Sequence, residues 1–248
     1  MRVAAAAGPM ARPFAHASVT KVAASIAVLE QVALGTCSLS DAAGPPGSTL
    51  EHLLSHAAGL PLDSDVPAAP PGARRIYSNR GIELAVRHAG ERAGASDREL
   101  VDARVFARLS MGSTRLDGSP ASGAVGSTED LCSLAAELLV PELLPVPLSA
   151  LQRSVSFPGL IGVLPGFGRQ APCDWGLGVE VKGAKHRHWT GPRWPATSFG
   201  HFGQAGGFLV VDPDEGIALV ALGDEPFGPW AVEAWPAFTD AMWSAAST

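Results

Sequence analysis

Lysine and tyrosine are almost missing from this chain of 248 residues. Of 18 Lys and Arg residues only three are lysines (Lys21, Lys182 and Lys185), and Tyr77 is the single tyrosine. Cysteine is scarce too. Cys37, Cys132 and Cys173 form no C-x-x-C pair. Their odd number and wide spacing predict reduced, buried thiols in a cytoplasmic protein, not a disulfide framework. No apolar run reaches the roughly 20 residues of a membrane-spanning helix. A net charge of −6 argues against nucleic acid or an anionic membrane as partner. The apolar stretch after Met1-Arg2 is short and is broken by Gly8-Pro9, so no signal peptide is expected. There is no internal repeat and no G-x-S-x-G elbow, which argues against an α/β-hydrolase. His52 and His56 stand four apart on a predicted helix but have no H-E-x-x-H and no third ligand nearby. Residues 166–171 match a dinucleotide fingerprint only loosely, and they neither follow a strand nor open a helix. No metal and no cofactor is expected.

With 46% hydrophobic and 17% charged residues, the chain is globular and long enough for one large domain or two intimate ones. Apolar residues Val19, Val22, Ala23, Ile26, Leu29 and Ala33 recur at helical spacing over residues 19–34. Capping patterns open helices at Ser48 (to residue 56, closed by Gly59), Ser96 (to about 109) and Ser127 (to about 139), with another helix over about 80–92. Residues 61–72 hold four prolines and read as a loop, and 141–172 stay unassigned. After that the period changes. Residues 175–182, 198–203, 207–212 and 217–222 read as strands, the last two joined by the turn at 213–216, and 230–244 as an amphipathic helix. The expected fold is a mixed α/β (α+β) layered one, an antiparallel sheet flanked by N- and C-terminal helices and carrying a helical lobe. Residues 1–42 with 170–248 would form the sheet domain and 43–169 the lobe, with the active site between them.

The chemistry centres on Ser18-Val19-Thr20-Lys21 at the mouth of the first helix. One helical turn separates Ser18 from Lys21, so the hydroxyl and the amine share a face, with Ser25 beyond them. A buried lysine with a lowered pKa can take the proton of a serine nucleophile, and a helix N-terminus suits an oxyanion. Lys21 sits in an otherwise apolar helix, where an ammonium is costly without a task or a partner. Tyr77 stands at a loop-to-helix junction two residues before Asn79, and a phenol near an ammonium can serve as a base. The stretch from Gly200 to Gly207 (Gly-His-Phe-Gly-Gln-Ala-Gly-Gly) is a strand studded with glycine, which often marks close approach by a ligand or another backbone.

Ser18-Val-Thr-Lys21, Tyr77-Ser-Asn79 and His201-Phe-Gly203, in that order, resemble the serine β-lactamase and penicillin-binding-protein superfamily, in its class C β-lactamase and esterase branch. Leu53-Leu-Ser-His56-Ala-Ala-Gly59-Leu, Pro71-Gly72, Ser127-Thr-Glu-Asp-Leu131, Trp175-Gly-Leu-Gly178 and Asp212-Pro-Asp-Glu-Gly216 extend the similarity over about residues 14–245. The resemblance implies that Ser18 is the nucleophile and that Lys21 and Tyr77 share the acid and base work. Asn79 would hold Lys21 and the substrate. The backbone N–H groups of Ser18 and Gln204 would form an oxyanion hole, and His201 would replace the family's third-motif lysine. With Gly203 and Gln204, His201 and Phe202 would line the substrate. Phe202 stands where relatives carry the threonine or serine that helps hold a substrate carboxylate, so short-chain esters are expected over β-lactams.

The implied function is a serine hydrolase or acyltransferase on ester or amide substrates, β-lactamase-like or D-aminopeptidase-like. The alternative is an inactive binding or scaffold member. Only seventeen residues precede Ser18, where the family resemblance implies fifty or more with two strands of the sheet. The strand at 217–222 has no charge or proline to protect an edge. Residues 1–13 would fold back on it, a second copy would pair with it as a homo-oligomer, or the chain would aggregate.

Overall fold

The computed structural model describes residues 3–247. In chain order, strand β1 (Pro13–Ala15) leads through a single 3-10 turn (Ala17–Val19) into helix α1 (Thr20–Ala33). Helices α2 (Leu50–Leu54), α3 (Asn79–Ala93) and α4 (Asp97–Val101) follow, and α4 runs on into a π-helical turn (Asp102–Phe106). Strands β2 (Arg115–Leu116) and β3 (Ala124–Ser127) precede α5 (Thr128–Leu139) and α6 (Val146–Gln152). The hairpin β4 (Gly162–Leu164) and β5 (Gly168–Gln170) leads to β6 (Glu180–Val181), β7 (Phe199–Gly203), β8 (Gly207–Asp212) and β9 (Ile217–Ala221). Helix α7 (Pro229–Ala246) closes the chain.

The main sheet is antiparallel in the order β6-β7-β8-β9. Because side chains alternate along a strand, its two faces feed two cores. Phe199, Leu209 and Val211 join α1 and α5 in one. Phe202, Phe208 and Val210 join Trp189, Trp194, Ala231 and Trp235 in the other, under α7. Helix α1 is apolar on nearly every side, and its residues from Thr20 to Gln31 are buried, as expected for a helix through the middle of a core. Residues 43–169 are mainly helical but also carry β2, β3 and β4; β2 and β3 join β1 in a second sheet of order β1-β3-β2.

Two of the expected capping residues, Ser96 and Ser127, act as such, and Ser78 caps α3 in the same way. Each accepts the N–H three residues on. Elsewhere the structure departs from the sequence reading. The cap of α2 is Thr49, in a reciprocal box with His52, and the helix stops at Leu54. The helix expected to reach residue 109 widens into the π turn after Val101. Residues 175–182 are not one strand: Trp175 bridges back to Glu180 across a tight turn in which Gly178 takes φ +75. A Cβ on Gly178 would lie 2.2 Å from the Ser25 Cβ, so the turn is pressed onto α1. Residues 141–172 contain α6 and the β4–β5 hairpin; of the glycines of the loose fingerprint, Gly166 lies in that hairpin's turn and Gly168 opens β5. Residues 1 and 2 lie outside the described residues, and among the described ones the N-terminal segment does not pair with β9. Its strand pairs with β3, and Arg12 forms an ion pair with Asp224. Helices α5 and α7 both pack against β9. Among the described residues no strand pairs with its outer edge.

Candidate active site

Ser18 sits in the 3-10 turn before α1, just after Ala17, a non-glycine residue at φ +45. Lys21, one turn into the helix, is fully buried. Its Nζ donates to Ser18 Oγ at 3.2 Å, to Asn79 Oδ1 at 2.7 Å and to the Ala121 carbonyl at 2.7 Å. It also lies 4.8 Å from the centre of the Tyr77 ring. Burial pulls Lys21 down from 10.5 to about 7, against the opposing pull of Asp63 and Glu83. A substantial fraction of the amine is therefore neutral near pH 7, with a lone pair within reach of the serine proton.

Tyr77 is half-buried; loss of water around the phenol raises its pKa, while a hydrogen bond with Ser18 lowers it. The free phenol stays protonated at neutral pH. Its donor direction follows from His201, whose Nδ1 lies 2.7 Å from the Phe202 carbonyl oxygen. A carbonyl only accepts, so Nδ1 carries the proton and Nε2 is a lone pair. Tyr77 Oη therefore donates to His201 Nε2 across 3.4 Å, leaving its own lone pairs for the Ser18 hydroxyl. Burial, and then the neighbouring Lys21, lower the His201 pKa to about 3, so this ring is neutral. Among the described residues that converge here, none is a permanent cation for a substrate carboxylate. Asn79 completes it, with Nδ2 donating to the exposed Asp63 at 2.9 Å.

The nucleophile's turn lies against β7. A Cβ on Gly203 would stand 2.5 Å from the His16 carbonyl oxygen and 3.3 Å from the Ser18 nitrogen. The N–H groups of Ser18 and Gln204 have no backbone partner among the described residues. Backbone N–H groups left without a partner can receive a developing oxyanion.

The segment that carries Tyr77 is tied down on both sides. The buried Arg75 donates to the carbonyls of Ser55, Ser156, Phe157 and Cys173, at 2.5, 2.7, 3.2 and 3.1 Å. Trp175 lies 5.6 Å from Tyr77 and 5.4 Å from His201, ring centre to ring centre, and walls the site.

The Beta-lactamase family profile matches residues 10–237. The chain belongs to the Beta-lactamase family. A crystal structure of a β-lactamase (Mb2281c) from Mycobacterium bovis is 43% identical, with a TM-score of 0.97 over 99% of this chain and 91% of that one. Two more distant structures share the fold. Unliganded simvastatin synthase (LovD) from Aspergillus terreus is 16% identical, covers 97% of this chain and 85% of its own, and has a TM-score of 0.77. The octameric penicillin-binding protein homologue from Pyrococcus abyssi is 18% identical, with a TM-score of 0.71 over 96% of this chain and 66% of that one. No curated protein matches the chain in sequence.

Of the expected site residues in this family member, Ser18, Lys21, Tyr77, Asn79 and His201 converge, and Gly203 borders them. Phe202 does not join them. Adjacent strand residues face opposite ways, so with His201 in the site Phe202 points under the sheet. There it meets Trp189, Phe227 and Trp235 at ring-centre distances of 5.9, 4.8 and 5.9 Å. The Gln204 side chain is exposed. Lys182 and Lys185 stand elsewhere, their amines on the backbone carbonyls of Gly191 and Trp194, and of Asp174 and Val181. They help line a cavity of about 630 Å³ with Phe167, Trp194 and Pro236, and none of the converging site residues reaches it. His52 and His56 face different partners, Thr49 Oγ1 and the Ser78 N–H. The sequence reading missed Trp175, Asp63 and the Ala121 carbonyl as neighbours of the site. Trp175 could have been marked by its place in the Trp-Gly-Leu-Gly motif. The other two lie in loops whose approach to Lys21 only the folded chain defines.

Proposed function

We propose that this protein is a serine hydrolase or acyltransferase that works through an acyl-enzyme on Ser18. The observation that carries the reading is the Lys21 amine, buried, lowered to about 7 and 3.2 Å from Ser18 Oγ. In this reading neutral Lys21 takes the Ser18 proton as Oγ attacks an ester or amide carbonyl. The N–H groups of Ser18 and Gln204 receive the oxyanion. Tyr77 passes a proton to the leaving group, and the reverse sequence with water or an acceptor nucleophile frees the enzyme.

The substrates that fit are small esters or amides without a carboxylate near the scissile bond. Lys21 is committed to catalysis, His201 is neutral, and Asp63 adds negative charge close by. Family membership and the 43% identical β-lactamase support an acyl-transfer chemistry.

The test is covalent labelling of the purified protein by a fluorophosphonate and by a fluorescent penicillin, with hydrolysis of p-nitrophenyl acetate and butyrate alongside. Labelling and ester turnover that both vanish in Ser18→Ala are expected. A parent protein that takes no label and turns over no ester would favour an inactive binding protein.

A further inference from the structure

His56 lies outside the converging catalytic group, yet both peptide N–H groups that flank Tyr77 end on it. The Ile76 N–H donates to the His56 carbonyl at 3.0 Å, and the Ser78 N–H donates to His56 Nδ1 at 3.2 Å. Between these two anchors the His56 ring packs on the Tyr77 ring, with centres 4.6 Å apart. The ring also meets Trp175 at 4.6 Å and 87°. The Ser78 N–H can only donate, so Nδ1 is the lone pair and Nε2 carries the proton. That Nε2 is buried and has no oxygen or nitrogen partner. The perpendicular contact with Trp175 is of the kind in which an N–H meets a π face. His56 itself is held at φ +58, a conformation that non-glycine residues seldom adopt. Burial keeps its ring neutral, with Lys21, His201 and Arg75 acting in the same direction.

We propose that His56 is a positioning residue that fixes the backbone and the ring of Tyr77, and so sets the place of the phenol between Ser18 and His201. The inference rests on the reading of Tyr77 as the proton-transfer group. A ring nitrogen at the δ position is what the Ser78 N–H requires. The left-handed backbone is what lets one residue offer its carbonyl to Ile76 and its ring to Ser78. A leucine would fill the space but leave a buried N–H unpaired.

Three substitutions in the full chain test this. His56→Asn accepts a left-handed backbone and puts an oxygen where Nδ1 stands. His56→Gln is nearer in volume but places its oxygen one bond further out. His56→Gly relieves the backbone and removes the acceptor. Hydrolysis of p-nitrophenyl acetate should lose about 10²-fold in kcat with little change in KM for Gly and Gln, the scale expected of an angstrom's misplacement. Asn should stay within several-fold of the parent.

The second readout needs no turnover. Tyr77 is the only tyrosine, so protein labelled with 13Cζ-tyrosine gives one NMR signal that reports this ring alone. That signal should move, and titrate nearer the ordinary tyrosine range, in Gly and Gln but not in Asn. An unmoved signal in His56→Gly, or Gln equal to or better than Asn in both readouts, would overturn the proposal. If the glycine variant does not fold, the Asn and Gln pair decides alone. If the parent hydrolyses no ester, the proposed function fails while the tyrosine signal still decides the role of His56.

Discussion

Gly203 and the carbonyl of His16 leave no room between them: a methyl group on Gly203 would lie 2.5 Å from that oxygen. The strand end that bears the third motif thus rests directly on the turn that bears Ser18. Gly203→Ala must displace one or the other. We expect about a 10²-fold loss in kcat toward short esters, with far-ultraviolet circular dichroism unchanged. Parent-like kinetics in this variant would show that the contact does not set the nucleophile's place.

Tyr77→Phe should lower turnover by about 10²–10⁴-fold, the usual scale of a lost proton-transfer group. The ring contacts with His56 and Trp175 survive without the hydroxyl, so the melting temperature should barely move. A rate within a few-fold of the parent would reduce Tyr77 to a packing role.

Lys21 links activity and stability to pH. Its pKa falls from 10.5 to about 7 on folding. Between those values the unfolded chain holds a proton that the folded chain has released, so stability rises with pH across that window. Lys21→Met removes this slope. Urea denaturation at pH 7 and pH 9 should show the parent gaining on the variant as pH rises, and parallel behaviour would mean the amine stays charged in the fold. Ester hydrolysis by the parent should climb through about pH 7 as the neutral amine forms.

Phe202→Thr now carries a different expectation from the one its position in the motif suggests. Its ring fills the core under α7, not the site. The substitution should cost about 3–5 kcal/mol, as large-to-small core changes do, without opening the site to cephalosporins. Chemical denaturation and a cephalosporin hydrolysis assay check the two halves.

Among the described residues no strand pairs with the outer edge of β9, and the strand itself holds no charge or proline. Such an edge invites a partner strand. Size-exclusion chromatography with light scattering should show self-association that rises with concentration, with the amides of Ile217–Ala221 protected from hydrogen exchange. A robust monomer with rapidly exchanging amides in that strand would show the edge to be tolerated.

Much of the site was legible because its signals are local. Ser18 and Lys21 are one turn apart, and a lysine in an apolar helix stands out. Serines at helix starts announced α4 and α5. What failed were features set by tertiary register. Residues 175–182 alternate like a strand, yet Gly178 turns the chain against Ser25. His201 and Phe202 look like equal members of one motif until the pleat sends them to opposite faces. His56 read as the end of a helix. Its left-handed backbone and its two hydrogen bonds around Tyr77 arise only when the loop after Arg75 returns to it.

The fan of hydrogen bonds from Arg75 has a consequence of its own. One guanidinium closes loops of 20, 81, 82 and 98 residues around the segment that carries Tyr77, in a protein whose three cysteines are free. This staple has no reduction potential, so a thiol reductant leaves it intact. All its acceptors are main-chain oxygens, so it constrains the path of the chain and not the identity of the residues along it. The surrounding loops can change sequence, and with it the shape they present to a substrate, without loosening the tyrosine.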